Sequence, residues 1–400
     1  MQVSSTGAAD RGRWWEVIRV FLKLGAVSYG GPAIMGVMQA EIQQKEKWVS
    51  RERFVEGLAL VNMLPGPSAA QLSIFLGYSR VGWIGGILAG VAFILPGFFI
   101  MLGLTLVYAR YGAIPVVRGV FYGLSPVVIG IFAMAVYRLG GSAVKDTKQA
   151  VITFCSAAAL GLTPLGIVPA ILLAGAVGVA LYGSRPWGLT AVVTGAALFS
   201  MPVFGAQWPL SPDLSWLPLD IGGRSSTPGP WELGVFFLKV GAFTFGGGFA
   251  ILAFIQDQVV NQLHWLSPQE YMDGLALGQL TPGPIIMLAA FVGYRVAGAW
   301  GATVSALAIF LPSFLLMLSV VPVFDRVRRI AWMSAALKGI GPAVIGMIAV
   351  TLLQMLPQAV PDIITGCMTV ATIVAIIAWR LSPLRLMAVG GAIGAALRAR

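Results

Sequence analysis

Apolar residues run through this chain in long blocks, and polar positions fall in the short breaks between them. Blocks lie near 16–38, 54–78, 82–109, 114–138, 148–162, 164–183 and 187–206. They resume near 232–255, 271–295, 297–322, 331–356, 361–379 and 383–398. A helix needs about 20 residues to cross a ~30 Å hydrocarbon layer, so the pattern predicts an all-α polytopic membrane protein with up to thirteen segments. Residues 207–230, rich in Pro, Gly, Ser and Asp, predict a linker. The expected organisation is a polar tail at 1–13, a transporter repeat at 14–206, the linker at 207–230, and a second repeat at 231–400.

The two halves carry the same marks. Phe21-Leu22-Lys23-Leu24-Gly25-Ala26-Val27-Ser28-Tyr29-Gly30-Gly31 returns as Phe237-Leu238-Lys239-Val240-Gly241-Ala242-Phe243-Thr244-Phe245-Gly246-Gly247. Leu64-Pro65-Gly66-Pro67 returns as Thr281-Pro282-Gly283-Pro284, and Leu95-Pro96 as Leu311-Pro312. The copies lie 216 or 217 positions apart, as a diverged duplication would leave them. Repeats marked by Gly and Pro inside apolar segments are a feature of transporters.

An odd number of crossings between the copies predicts that the second half is inverted. The charges agree with the positive-inside rule. Arg138, Lys145, Lys148, Arg185, Arg326, Arg328, Arg329, Arg380 and Arg385 flank links expected inside, whereas the links expected outside hold only Arg110 and Arg224. One loop resists. Residues 41–53 carry Lys45, Lys47, Arg51 and Arg53, and full crossings at 16–38 and 54–78 would put them outside. Re-entrant hairpins turning at Gly30-Gly31-Pro32 and Pro65-Gly66-Pro67 keep that loop inside, and hairpins or strongly broken helices are the expectation.

Composition narrows the class. The chain is 58% hydrophobic and 10% charged, where soluble domains carry about 25% charged residues. There is no Walker-type phosphate loop, so any transport runs on an ion or voltage gradient. The net charge of +11 sits in short links, which explains it without nucleic acid. The N-terminal residues have no short apolar core or small-residue cleavage site, so no removable signal peptide is expected. Cys155 and Cys367 lie in apolar segments and are expected as free thiols. His264 has no Cys, His or Asp cluster beside it, so neither metal nor cofactor is expected.

Candidate chemistry sits at the breaks. Gly30-Gly31 and Gly246-Gly247 follow a hydroxyl residue in each copy, Ser28 and Thr244. Such runs either pack helices closely or unwind where the backbone lines a cavity. Pro65-Gly66-Pro67 and Pro282-Gly283-Pro284 cannot continue a helix. The helix after each would point free N–H groups and a positive dipole end at that depth, a setting for an anion. Asn62, Ser68 and Gln71 neighbour the first break, and Gln279 and Thr281 the second. The bland alternative is a structural kink. Lys23 and Lys239 precede the glycine runs by about one turn and are either intramembrane counter-charges or snorkelling side chains. Glu41, Glu56, Asp257 and Asp273 occupy matching places and are either proton carriers or gates, or solvated helix starts. Arg80 and Arg295 end the Pro-Gly-Pro segments as interfacial anchors or gates.

Together the Phe-Leu-Lys-Leu-Gly…Gly-Gly-Pro run, Trp48-Val49-Ser50, Leu-Pro-Gly-Pro with Gln71 beyond it, and Gly77-Tyr78, all repeated, resemble the chromate ion transporter family in its long-chain form. The match is clearest over 14–138 and 231–356. The resemblance implies a bacterial inner-membrane protein with two inverted halves that exports chromate and confers resistance. Its glycine and proline motifs carry over to Gly30, Gly31, Pro32, Pro65, Gly66, Pro67, Gly246, Gly247, Pro282, Gly283 and Pro284. Pro32 is matched by Gly248, Asn62 by Gln279 and Gln71 by Leu288, so two equivalent sites are not expected. The expected partners are the bilayer and a small oxyanion, with chromate against sulfate and homodimerisation left open. The alternatives are a sulfate-type importer with an obligatory proton path, and a lipid-phosphate enzyme or scramblase. The second alternative lacks any cluster of acid, base or nucleophile.

Overall fold

The computed structural model describes residues 6–29, 32–163, 167–183, 228–242, 248–323 and 331–398. Within them the first half contains α1 (Thr6–Val27), α2 (Pro32–Met38, continued as a π-helix over Gln39–Lys45), α3 (Arg51–Met63), α4 (Ser68–Tyr111), α5 (Pro115–Ala143), α6 (Thr147–Leu162) and α7 (Ile167–Tyr182). The second contains α8 (Pro230–Ala242), α9 (Gly248–Gln256, continued as a π-helix over Asp257–Gln262) and α10 (Pro268–Leu280). It ends with α11 (Leu288–Val320), α12 (Ala331–Ala359), α13 (Ile363–Ala378) and α14 (Pro383–Arg398). No strand occurs among the described residues. The expected segment at 187–206 and linker residues 207–227 lie outside them.

The long α4 is two arms. At Val81 and Gly82 the backbone leaves helical geometry, and Gly82 takes a left-handed φ of 68°. Gly77 lies against the carbonyl of Gly85, although eight residues of continuous helix would separate them by about 12 Å. The chain therefore reverses. The same reversal recurs in α11 at Ala297 and Gly298 (φ 64°), where Gly293 meets Gly301. Glycine serves both needs here, a left-handed turn and backbones in contact.

Contacts across each break show that the broken segments fold back. Lys23 pairs with Glu41 at 2.9 Å, and further out Trp48 Nε1 donates to Glu16 at 3.1 Å, so α2 returns along α1. Gly57 lies against the ring of Phe75, and the Arg53 guanidinium sits 4.9 Å from the same ring. Gly274 against Phe291 and the Glu270–Arg295 ion pair repeat this in the second half. With 13 residues each, α3 and α10 reach about 20 Å, short of a ~30 Å core. The blocks at 16–38, 54–78 and 271–295 are thus hairpin arms rather than full crossings, and the run-on blocks of hydropathy hid their turns. Trp48-Val49-Ser50 and Trp265-Leu266-Ser267 start the return arms. The Ser50 hydroxyl accepts from Arg53 N and the Ser267 hydroxyl from Glu270 N, closing a capping box in the second copy.

The hairpins of the two halves enter from opposite ends. Arg80, at the base of the first Pro-Gly-Pro hairpin, abuts the start of the second arm of α4. At the far end of that arm, Tyr108 Oη donates to Asp273 at the base of the other hairpin (2.8 Å). This is the predicted inversion. The loop Lys45–Arg53 therefore shares an end with Arg138, Lys145 and Arg380, which the positive-inside rule makes cytoplasmic. The loop that resisted full crossings falls into line.

Among the described residues four helices, α4, α5, α11 and α12, are long and apolar enough to cross a membrane. The last pair of each half packs on the other half. Gly123 of α5 meets the Gly390 carbonyl of α14, and Gly339 of α12 meets the Ala174 carbonyl of α7. These small-residue seams substitute for a hydrophobic drive that lipid removes. Both Cys155 and Cys367 are free thiols, as expected. His264 holds a left-handed turn (φ 51°) with Nδ1 2.9 Å from the Val260 carbonyl, the place taken by Lys47 in the first half.

Candidate functional site

Both Pro-Gly-Pro tips land on the other half of the molecule. Gly283, with φ 87°, donates its N–H to the carbonyl of Ser28 at 2.8 Å, joining its tip to the broken end of α1. Gly97 of α4 makes room for that tip, since a Cβ there would stand 2.8 Å from the Pro282 carbonyl. In the symmetric place Gly66 lies against Ser313 of α11. The paired tips thus converge near the middle of the protein, as their positions beside Pro96 and Pro312 require.

The tips differ in what they face. At the first, Gln71 Nε2 donates to the Pro65 carbonyl at 2.6 Å, and Gly66, Pro67 and Gln71 are buried. Gln71 therefore satisfies a carbonyl that the break leaves without a helical partner. Gln71→Ala is expected to cost about 1–3 kcal/mol, read as a fall of several degrees in the melting midpoint of the purified protein. An unchanged midpoint would contradict this role. Asn62 is exposed and Ser68 half-buried.

The second tip opens on a cavity of about 780 Å³. Gly278, Gln279, Thr281, Gly283 and Ile285 line its deep end, Ile131, Met134, Arg138 and Ser142 of α5 its side, and Arg380 and Ser382 its mouth. Thr281 is buried and caps α10 by donating to the Leu277 carbonyl at 2.8 Å. Gln279 Nε2 is buried without a partner among the described residues. A second cavity, of about 670 Å³, lies towards the opposite end and includes Tyr108, Arg118, Ser125, Asp273 and Arg295. Both cavities follow α5. Between them stand Val128 of α5 and Ala276 of α10, neither with any exposure.

The candidate charges spread apart. Lys23 is exposed and bound to Glu41, which also takes Lys45 at 2.9 Å, so this lysine closes an ion pair within its own hairpin. Lys239 is exposed. Asp257 accepts from Gln258 at 3.3 Å and Asn261 at 3.5 Å. Glu56 pairs with Arg53 at 3.1 Å, whereas its counterpart Asp273 is buried, bonded to Tyr108 and to Gln269 Nε2 at 3.0 Å. Arg80 binds Glu16 at 3.0 Å and lies over Trp48, tying two hairpin bases; Arg295 binds Glu270 within one hairpin. Gly30, Gly31, Thr244, Gly246 and Gly247 lie outside the described residues. Sequence reasoning missed Glu16, Tyr108 and Glu270. Glu270 matched no repeated motif, Glu16 repeats as Glu232 beside Trp15 and Trp231 but was passed over, and Tyr108 gains its role only by meeting a residue 165 positions away. No cluster of three metal-ligating side chains occurs among the described residues.

A family model described as chromate transporter matches residues 15–180 and again 231–395. The chain is 33% identical over 360 residues to the chromate transport protein of Cupriavidus metallidurans, covering 90% of this chain and 86% of that one. It is 34% identical over 369 residues to the probable chromate transport protein of Synechococcus elongatus, covering 92% and 90%. The uncharacterized transporter YwrA of Bacillus subtilis matches over 157 residues at 31% identity, which is 38% of this chain but 85% of YwrA. That relative has about the length of one half. No solved structure matches.

Proposed function

Because the chain belongs to the chromate transporter family, we propose that it carries chromate out of the cell across a bacterial inner membrane. The observation that carries this reading is the second Pro-Gly-Pro tip, which brings Gln279, Thr281 and Ile285, the first residue of the helical turn after the tip, to the end of a cavity with no carboxylate in its lining among the described residues. Backbone N–H groups at a helix start and amide or hydroxyl donors suit a tetrahedral oxyanion without a buried cation. Pro282, Gly283 and Pro284 hold that tip open. Pro65, Gly66 and Pro67 form its sealed counterpart, and the Ser28 carbonyl takes the Gly283 N–H of the open tip.

Alternating access follows from the layout. The α10 hairpin stands between a cytoplasmic and an external cavity, and moving it against α5 opens one while closing the other. Energetics sets the direction. Each charge moved through 100 mV is worth about 2.3 kcal/mol, so a dianion leaving a cell at ~150 mV, inside negative, gains about 7 kcal/mol. That supports roughly a 10⁵-fold gradient without ATP.

Inside-out vesicles with an imposed voltage, lumen positive, and no pH gradient test the scheme with labelled chromate and sulfate. Chromate is expected to accumulate in proportion to the voltage. Accumulation indifferent to voltage would remove the electrogenic mechanism, and sulfate accumulating in place of chromate would reassign the substrate.

A further inference from the structure

We propose that the cytoplasmic cavity is a loading chamber for a tetrahedral dianion, in which Arg138 and Arg380 supply the charge and Gln279 takes one oxygen. This rests on the transport reading and adds where the ion is first held. The two arginines come from different halves, Arg138 from α5 and Arg380 from the link between α13 and α14, and both line the one cavity.

Neither Arg138 nor Arg380 has a carboxylate within 4 Å among the described residues, whereas Arg295 in the opposite cavity is bound to Glu270. Among the described residues no Asp or Glu lines the chamber, and Gln279 and Ser382 offer donors there, whereas the Thr281 and Ser142 hydroxyls already donate to the Leu277 and Leu139 carbonyls. Arg380 is held in place by its backbone. It occupies a left-handed turn (φ 50°) that closes α13, with Leu381 N donating back to the Ala375 carbonyl at 3.4 Å. Two unpaired guanidiniums in one concave space raise the local concentration of an anion and match the paired oxygens of an oxyanion.

Size assigns the order of events. About 780 Å³ holds roughly 25 waters, so the ion enters hydrated. Water is shed at the narrow end, where Gln279 Nε2 is buried and unpartnered. The repeat makes the chamber one-sided. Shifted by 216 positions, Arg138 corresponds to Gln354 and Arg380 to Pro164, so the inverted half lacks this pair of cations. The external cavity instead sets Asp273 near Arg118 and Arg295. A chamber that is purely cationic on the cytoplasmic side gathers dianions there, and a carboxylate on the other side favours their release.

The test uses Ser382→Cys in a full-length Cys155→Ala, Cys367→Ala background, in inside-out vesicles. The cysteine is reacted with membrane-impermeant thiol reagents of matched size bearing a sulfonate or a trimethylammonium head. The sulfonate reagent is expected to react at least about tenfold faster, and chromate or sulfate should slow it. Adding Arg138→Gln and Arg380→Gln should abolish both the preference and the protection, while Arg385→Gln, a basic residue at the same end outside the chamber, should change neither. The trimethylammonium rate reports that the site is still folded and accessible. In the same vesicles the double variant should raise the chromate KM at least about fivefold with little change in kcat. Equal rates for the two heads, protection that survives the double variant, or an unchanged KM would each overturn the chamber. Protection by oxyanions in vesicles that transport no chromate would support the chamber while removing the transport reading.

Discussion

Gly25→Val or Gly241→Val is expected to leave less than about a tenth of the folded protein recovered from the wild type. A Cβ on Gly25 would press into the carbonyl oxygen of Phe93, and one on Gly241 into that of Ile309. These are the same seam in the two halves, where the first arm of each broken helix lies on α4 or α11. Backbone cannot yield as a side-chain tip does, so the helices must part along their length. The nearest control is Gly82→Ala. It has nothing within 4 Å and strains only a backbone at φ 68°, ψ −151°, a region essentially confined to glycine, at a cost of about 1–3 kcal/mol. Size-exclusion profiles of fluorescently tagged protein in mild detergent would compare the three. Monodisperse Gly25→Val protein at wild-type yield would show that the seam is not built as described.

Asp273→Asn is expected to slow chromate transport at least tenfold, whereas Glu56→Gln should leave it within about twofold. The two acids are copies of one ancestral position, and sequence alone treats them alike. The structure separates them. Glu56 is partly exposed beside Arg53 and is already neutralised. Asp273 is buried, has only Tyr108 and Gln269 as bonding partners and no ion pair with Lys or Arg among the described residues, and borders the external cavity. A carboxylate so placed is costly to keep charged unless its state changes during the cycle. Asparagine keeps the shape and one acceptor but cannot exchange a proton or repel the departing anion. Initial rates in vesicles, with and without a pH gradient, measure both variants. Equal losses at the two positions would mean that each acts through hairpin stability alone.

Much of the architecture was legible before any coordinates. The duplicated Gly and Pro marks, the apolar blocks and the asymmetric charges were enough to expect inverted halves and interrupted segments. Those are backbone and solvation effects, and they follow from residue type at each position. Trp48-Val49-Ser50 was visible as a motif, although its use as a helix cap required the structure. Hydropathy does not register a turn made inside an apolar run; the Gly and Pro marks and the basic loop at 41–53 predicted the hairpins at 16–38 and 54–78, and the structure adds the one at 271–295. Arg80 and Arg295 end the two Pro-Gly-Pro segments, yet Tyr78 and Tyr294 align Arg295 with Ser79. One arginine ties neighbouring hairpins and the other closes its own.

By itself, then, the sequence determined that this chain spans a membrane as two opposed copies interrupted at Pro65-Gly66-Pro67 and Pro282-Gly283-Pro284, since two prolines around a glycine cannot continue a helix. Only the tertiary structure decided that one tip is sealed around Gln71 while the other opens beside Gln279, and that Lys23 is occupied by Glu41 while Arg138 and Arg380 stand free of carboxylates. The physical reason is that a charge or donor acquires its role from what lies within a few ångströms. In this fold some of those neighbours are close in sequence, as Glu41 is to Lys23, while others, as Asp273 to Tyr108, come from helices more than a hundred residues away.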